Sequence, residues 1–113
     1  MVLGNGLFVR RLLKKSLVFV AFTTSEEEIE ISYMFFPAIW GQGRATEAVS
    51  ASLNHGFDHL RFEKIIAITQ EANRRSCRLL EKVGMHHLHN ICLWNATQRV
   101  YEITRVWWLG NLH

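Results

Sequence analysis

The spacing of apolar and polar positions changes several times along the chain, and each change marks an element. Leu7-Phe8-Val9 reads as a short strand running into Arg10-Arg11-Leu12. Lys14-Lys15-Ser16 turns it into Leu17 to Phe22, an apolar run rich in β-branched and aromatic residues. Thr23 to Glu27 is polar and reads as a second turn. From Glu28 to Phe36 the pattern alternates, with Ile29, Ile31, Tyr33 and Phe35 on one face. Three strands with short connections predict an antiparallel meander.

From Gly43 to Leu60 the period lengthens. Ala45, Ala48, Val49, Ser52, Leu53, Gly56, Phe57 and Leu60 form one helical stripe, while Glu47, Ser50, Asn54 and Asp58 fall elsewhere. Lys64 to Thr69 is a short apolar run that reads as a buried strand. A second helix is expected from Asn73 to Val83, with Asn73 as its N-cap and Gly84 at the left-handed position after its end. His86 to Leu93 and Val100 to Trp107 read as strands joined by a turn at Asn95-Ala96-Thr97. The order is β-β-β-α-β-α-β-β. Lys64 to Thr69 should lie parallel to the strand ending at Phe36 through a right-handed crossover. The class is α/β (α+β), a mixed, mostly antiparallel sheet flanked by helices. There is no repeat, low-complexity tract or linker, so 1–113 reads as a single domain.

Composition removes several classes of function. Hydrophobic residues make up 49% and charged residues 20%, the profile of a folded domain. No apolar run approaches the ~20 residues of a membrane-spanning helix. Arg10, Arg11, Lys14 and Lys15 interrupt the apolar start of the chain, so no secretory signal is read and the expected location is cytoplasmic. The net charge of +3 suits an anionic small ligand, and no block of like charge marks a nucleic-acid surface. Cys77 and Cys92 form no metal or redox motif and read as buried free thiols. In His86-His87-Leu88-His89, His87 and His89 share a strand face, but no carboxylate or thiol stands at fitting spacing, so no metal site is expected. Trp94, Trp107 and Trp108 are expected to pack in the core or at a subunit interface.

The chemistry concentrates at the strand-to-helix junction Pro37-Ala38-Ile39-Trp40-Gly41-Gln42-Gly43-Arg44-Ala45-Thr46-Glu47-Ala48. Small residues let a ligand approach the backbone, and a new helix offers unpaired N–H groups to phosphate. A dinucleotide fingerprint matches only weakly, since Gly41 and Gly43 fit but its third glycine falls on Thr46 and a meander precedes it.

Three segments in this order resemble the GNAT superfamily of N-acetyltransferases, and are most similar to the branch that acetylates protein N-termini, including those of ribosomal proteins. They are Glu30-Ile31-Ser32-Tyr33 leading to Pro37 and Trp40 to Ala48; the strand Lys64 to Thr69; and Asn73-Arg74-Arg75-Ser76 with Leu79 to Met85. Together they cover about two thirds of the chain. The family's Arg/Gln-x-x-Gly-x-Gly/Ala pattern falls on Trp40, Gly43 and Ala45. The resemblance implies that the amides of Gln42, Gly43, Arg44, Ala45 and Thr46 bind the pyrophosphate of acetyl-CoA as co-substrate. It implies that Asn73 bonds the pantetheine arm, that Ser76 lies near the thioester, and that amides near Phe35 and Phe36 hold the oxyanion. Glu30 stands where the branch carries the glutamate of Glu-Ile-Gly-Tyr, with Ser32 for the glycine, and is the implied general base. Leu80 stands near the position where many relatives place an acidic tyrosine, which leaves Ser76 as the implied acid. Direct transfer to an amine acceptor, small molecule or peptide, is the implied reaction. The alternative is a non-catalytic acyl-CoA-binding or oligomerising module. The family fold begins with a strand and two helices, one wall of the acceptor groove, which this chain is expected to lack. Leu7 to Val9 is then an exposed edge, and a homodimer is expected to cover it.

Overall fold

The computed structural model describes residues 2–3, 7–11, 18–25, 28–35 and 44–111. The elements are β1 (Val2–Leu3), β2 (Leu7–Arg11), β3 (Val18–Ser25), β4 (Glu28–Phe35), α1 (Arg44–Asp58), β5 (Lys64–Gln70), α2 (Arg74–Lys82), β6 (His86–Leu93), β7 (Ala96–Thr104) and α3 (Arg105–Gly110). One sheet holds all seven strands in the order β1-β2-β3-β4-β5-β7-β6. Its one parallel pair is β4–β5, spanned by α1, and the other pairs are antiparallel. The expected mixed, mostly antiparallel sheet with helices on it is therefore the observed one.

Both long helices lie on the same sheet face. Ala45, Ala48, Val49, Leu53 and Phe57 of α1 and Cys77, Leu79 and Leu80 of α2 share one cluster with Phe22, Ile31, Ile65, Ala67, Tyr101 and Ile103 of the strands. The helical stripe read from the sequence is the buried stripe. Each large side chain in it contributes roughly 1.5–3 kcal/mol by leaving water. Gly56 lets α1 lie close to the sheet, since a Cβ there would meet Ile65 Cδ1 at 3.1 Å and Phe22 Cζ at 3.2 Å. On β4, alternation sends Ile29, Ile31 and Tyr33 toward the helices and Glu30 and Ser32 to the opposite face.

The end of α2 explains its direction. The N–H of Gly84 bonds Glu81 C=O at 3.1 Å and the N–H of Met85 bonds Leu80 C=O at 3.0 Å. Gly84 has φ +104, the left-handed position of a Schellman closure. Met85 and Leu80, both buried, supply its apolar contact.

Several expectations are corrected. Val2–Leu3 pairs with β2 through Val2↔Phe8 and Leu3↔Leu7, so Leu7 and Phe8 of the expected open edge have a strand partner within the chain. The last strand stops at Thr104, whose hydroxyl caps α3 by accepting from Trp107 N at 3.2 Å; Arg105 to Trp107 are helical. The β6–β7 turn is Trp94-Asn95, both at positive φ (52° and 58°), so Ala96 and Thr97 belong to β7, which starts at Ala96 rather than at Val100. Trp94 at its tip is 84% exposed rather than packed. A bulge at Leu88 pairs His87 with Tyr101 and His89 with Val100, which puts these two histidines on opposite faces. Cys77 is buried as expected, whereas Cys92 is exposed on β6; both are free thiols. Among the described residues no helix is long and apolar enough to cross a membrane.

Candidate functional site

The parallel pair β4–β5 is joined at one position, Glu30↔Ile66. β4 continues five residues past that point and β5 four, with no further pairing between them. The two strands splay, and backbone groups on their facing edges are left without a strand partner. A cleft of about 230 Å³ occupies the gap, lined by Ile31, Ser32 and Tyr33 of β4, Ile68 and Thr69 of β5, and Asn73 and Ser76 at the start of α2. It lies at the carboxyl ends of the parallel strands, where α/β sheets accept ligands. An extended chain bearing amides can take up such edges as an added strand does.

The start of α2 closes one wall. Asn73 caps the helix, its Oδ1 accepting from Ser76 N at 3.2 Å. Cys77 and Leu80 anchor the helix in the core, and that orientation turns Ser76 inward. Ser76 is 4% exposed, and its Oγ lies 2.5 Å from the hydroxyl of Tyr33, which crosses from β4. Burial pushes the Tyr33 phenol above its ordinary pKa, the Ser76 bond opposes that rise, and Cys77 adds to it. The Cys77 thiol faces the strand end instead, with Sγ 3.7 Å from Gln70 O and 3.9 Å from Glu71 O. Leu80, one turn on, is fully buried and carries no donor.

Glu30 sits at the closed end of the splay, half-buried and one residue before the first cleft-lining residue. Burial raises its pKa, and the Glu28 carboxylate on the same strand face raises it further. A carboxylate raised in this way takes up a proton more readily than an exposed glutamate does.

The predicted site residues thus divide. Asn73 and Ser76 meet at the cleft, and Glu30 stands at its base. Phe35 ends β4, and Arg44, Ala45 and Thr46 form the first turn of α1, whose leading N–H groups have no partner inside the helix. Ala45 turns its methyl into the core, so only its backbone is available to a ligand. Phe36, Gln42 and Gly43, with Trp40 and Gly41, lie outside the described residues. Tyr33 is the site residue that sequence reasoning missed. Its place on the apolar face of β4 read as packing, and its partner is 43 positions away.

The acetyltransferase (GNAT) domain family matches residues 16–86. The chain is 43% identical over 74 residues to the uncharacterized protein YkkB of Bacillus subtilis (strain 168), covering 66% of this chain and 43% of that protein. It is 38% identical over 60 residues to the uncharacterized N-acetyltransferase YnaD of the same organism, covering 53% of this chain and 35% of that protein. It thus spans less than half the length of these curated relatives. Among solved structures, a GNAT-family acetyltransferase from Bacillus anthracis superposes with TM-score 0.76 at 28% identity, covering 88% of this chain and 66% of that one. The ribosomal-protein-S5-alanine acetyltransferase from Vibrio fischeri gives 0.72 at 15% identity, with 79% and 54% covered. The spermidine/spermine N-acetyltransferase SpeG from Vibrio cholerae gives 0.75 at 16%, with 83% and 61% covered. The last two likenesses are of fold alone.

Proposed function

The chain belongs to the GNAT acetyltransferase family, and from that premise we propose that it transfers an acetyl group from acetyl-CoA to a primary amine by direct attack. The observation that carries this reading is the splay of β4 from β5, which ends at the capped start of α2. The facing strand edges suit an amide-bearing pantetheine arm, and Ser32, Thr69 and Asn73 supply polar groups along the cleft. The fit extends to charge, since the first turn of α1 follows β4 and favours an anion by roughly 0.3–1 kcal/mol.

In this reading Glu30 accepts the proton of the attacking amine, directly or through water. The amide of Phe35 and its neighbour Phe36 hold the oxyanion. Ser76 donates toward the leaving sulfur, the role Leu80 cannot fill. Glu28 and Glu30 on one strand face favour a cationic acceptor, and a peptide or protein N-terminus of the ribosomal-protein kind is the acceptor we propose. Calorimetry with acetyl-CoA, followed by thiol release with a panel of peptides and polyamines, tests the reading. Saturable binding with turnover on a peptide amine supports it. Turnover on polyamines alone corrects the acceptor, binding without turnover favours the non-catalytic module, and no binding refutes both.

A further inference from the structure

We propose that Tyr33 is a positioning residue that aims the Ser76 hydroxyl into the cleft and replaces the proton that Ser76 gives up; this rests on the acetyl-transfer reading above.

The geometry is specific to these two side chains. Tyr33 Oη and Ser76 Oγ are 2.5 Å apart, and both residues line the β4–β5 cleft. A serine in a helix ordinarily turns its hydroxyl back to the carbonyl four residues earlier. Ser52 of α1 does so, donating to Ala48 O at 3.0 Å. Ser76 stands in the first turn of α2, and the residue four before it, Ala72, precedes the cap. The helix therefore offers its hydroxyl no such acceptor, and Tyr33 takes the contact from the sheet. When Tyr33 O–H donates to Ser76 Oγ, the serine's own hydrogen is left to point elsewhere, and the cleft is the open direction. Burial raises the Tyr33 pKa above its ordinary value, so at neutral pH the phenol keeps the hydrogen that this arrangement has it donate.

The proton count closes. The acceptor nitrogen forms a bond to the thioester carbonyl carbon, the C–S bond breaks, and its electron pair stays on sulfur. Ser76 passes its proton to sulfur and takes the proton of Tyr33. Glu30 takes the proton released from the acceptor nitrogen, and water relays an equivalent proton from Glu30 to refill the tyrosine. Amine and thioester become amide and thiol with nothing oxidised or reduced.

Tyr33→Phe, Ser76→Ala and the double variant test this. Tyr33→Phe should lower kcat about ten-fold or more, leaving the KM for acetyl-CoA and its calorimetric Kd within about two-fold of the parent. The double variant should be no slower than Ser76→Ala, because the two hydroxyls act as one unit. Rates in H2O–D2O mixtures should curve for the parent and become linear in Tyr33→Phe. A readout free of turnover is available because the chain has only two tyrosines. With 13C-labelled tyrosine, the Cζ signal lost in Tyr33→Phe should move in Ser76→Ala and on adding CoA. Unchanged kcat in Tyr33→Phe, additive losses, or a Tyr33 signal indifferent to Ser76→Ala overturns the inference alone. A parent chain that acetylates no amine overturns the transfer reading, and the inference with it.

Discussion

Gly84→Ala tests the end of α2, the helix that carries Asn73 and Ser76. Gly84 sits at φ +104, where an L side chain crowds its own backbone; a non-glycine residue in the left-handed region costs roughly 1–2 kcal/mol. The new methyl also meets the indole of Trp107. A Cβ built at Gly84 lies 2.5 Å from both Cη2 and Cζ3 of that ring, so the ring has to move. Its backbone is held by the Thr104 hydroxyl at 3.2 Å and by Asn111, whose Nδ2 donates to Trp107 O at 2.9 Å; its ring meets His86 edge-on at 5.1 Å. Overpacking of this kind costs roughly 1–3 kcal/mol. A cavity of about 280 Å³ bordered by Trp107, Trp108 and Gly84 gives the ring some room, which argues for the lower half of that range. The sum is about 2–4 kcal/mol, or roughly 8–16 °C in Tm for a domain of this size. Thermal unfolding followed by tryptophan fluorescence and circular dichroism measures it. The two contributions separate in a Trp107→Leu background, where Gly84→Ala should cost only the backbone share, about 1–2 kcal/mol. A drop in Tm below about 3 °C for Gly84→Ala, or an undiminished penalty in the Trp107→Leu background, refutes the reasoning.

Three further perturbations separate fold from site. Asn73→Asp keeps an acceptor for Ser76 N and caps as well as asparagine, so Tm should hold, while loss of the amide donor should weaken acetyl-CoA binding about ten-fold; Asn73→Ala should lose that affinity and about 1 kcal/mol of stability as well. Equal affinity in Asn73→Asp would reduce Asn73 to a cap. Glu30→Gln should lower kcat and abolish the acid limb of the kcat/KM profile, a limb expected above the ordinary glutamate range because burial and Glu28 raise the Glu30 pKa. A raised folded-state pKa in an acid means that ionisation opposes folding once the pH passes it, so the same variant should raise Tm at neutral pH; a lower Tm would mean that the carboxylate has a stabilising partner. Tyr101→Phe should cost about 1–2 kcal/mol, since its hydroxyl donates to Glu81 at 2.7 Å and accepts from Arg99 at 3.2 Å. That variant should leave acetyl-CoA binding unchanged, and a calorimetric Kd that moves would tie the β7–α2 network to the site.

Elements whose signal is local were legible in the sequence. The α1 stripe at Ala45, Ala48, Val49, Leu53 and Phe57 follows from helical spacing alone. The α2 boundaries follow from Asn73 and Gly84, each chemically suited to one end of a helix. Misplaced boundaries came where two local rules competed. Arg105 to Trp107 is apolar enough to extend β7, but Thr104 can cap, and capping prevails where the indole of Trp107 packs over Gly84. The bulge at Leu88 leaves no mark in His86-His87-Leu88-His89, and plain alternation puts His87 and His89 on one face where the backbone breaks that alternation. β1 has only two residues, too few for any periodicity.

The candidate site was legible in its parts rather than in its contacts. Asn73 and Ser76 stand at motif spacing on one helix, and Glu30 at motif spacing on one strand; each assignment needs only its own segment. The cleft depends on something no single segment encodes, namely how far β4 and β5 remain paired. The contact between Tyr33 and Ser76 depends on that separation too, because closed strands would leave no cleft for the phenol to border. Read locally, Tyr33 is one more apolar position on an alternating strand, and Leu80 is an aliphatic residue in a core stripe. Set opposite α2, they gain complementary meanings. The helix position that carries no hydroxyl is filled by core packing, and the hydroxyl beside Ser76 arrives from the sheet. In the proposed transfer the proton donor is therefore supplied from the sheet wall of the cleft, through the serine on its helix wall. For this reason the pair Tyr33–Ser76, rather than either residue alone, is the unit on which substitutions should act.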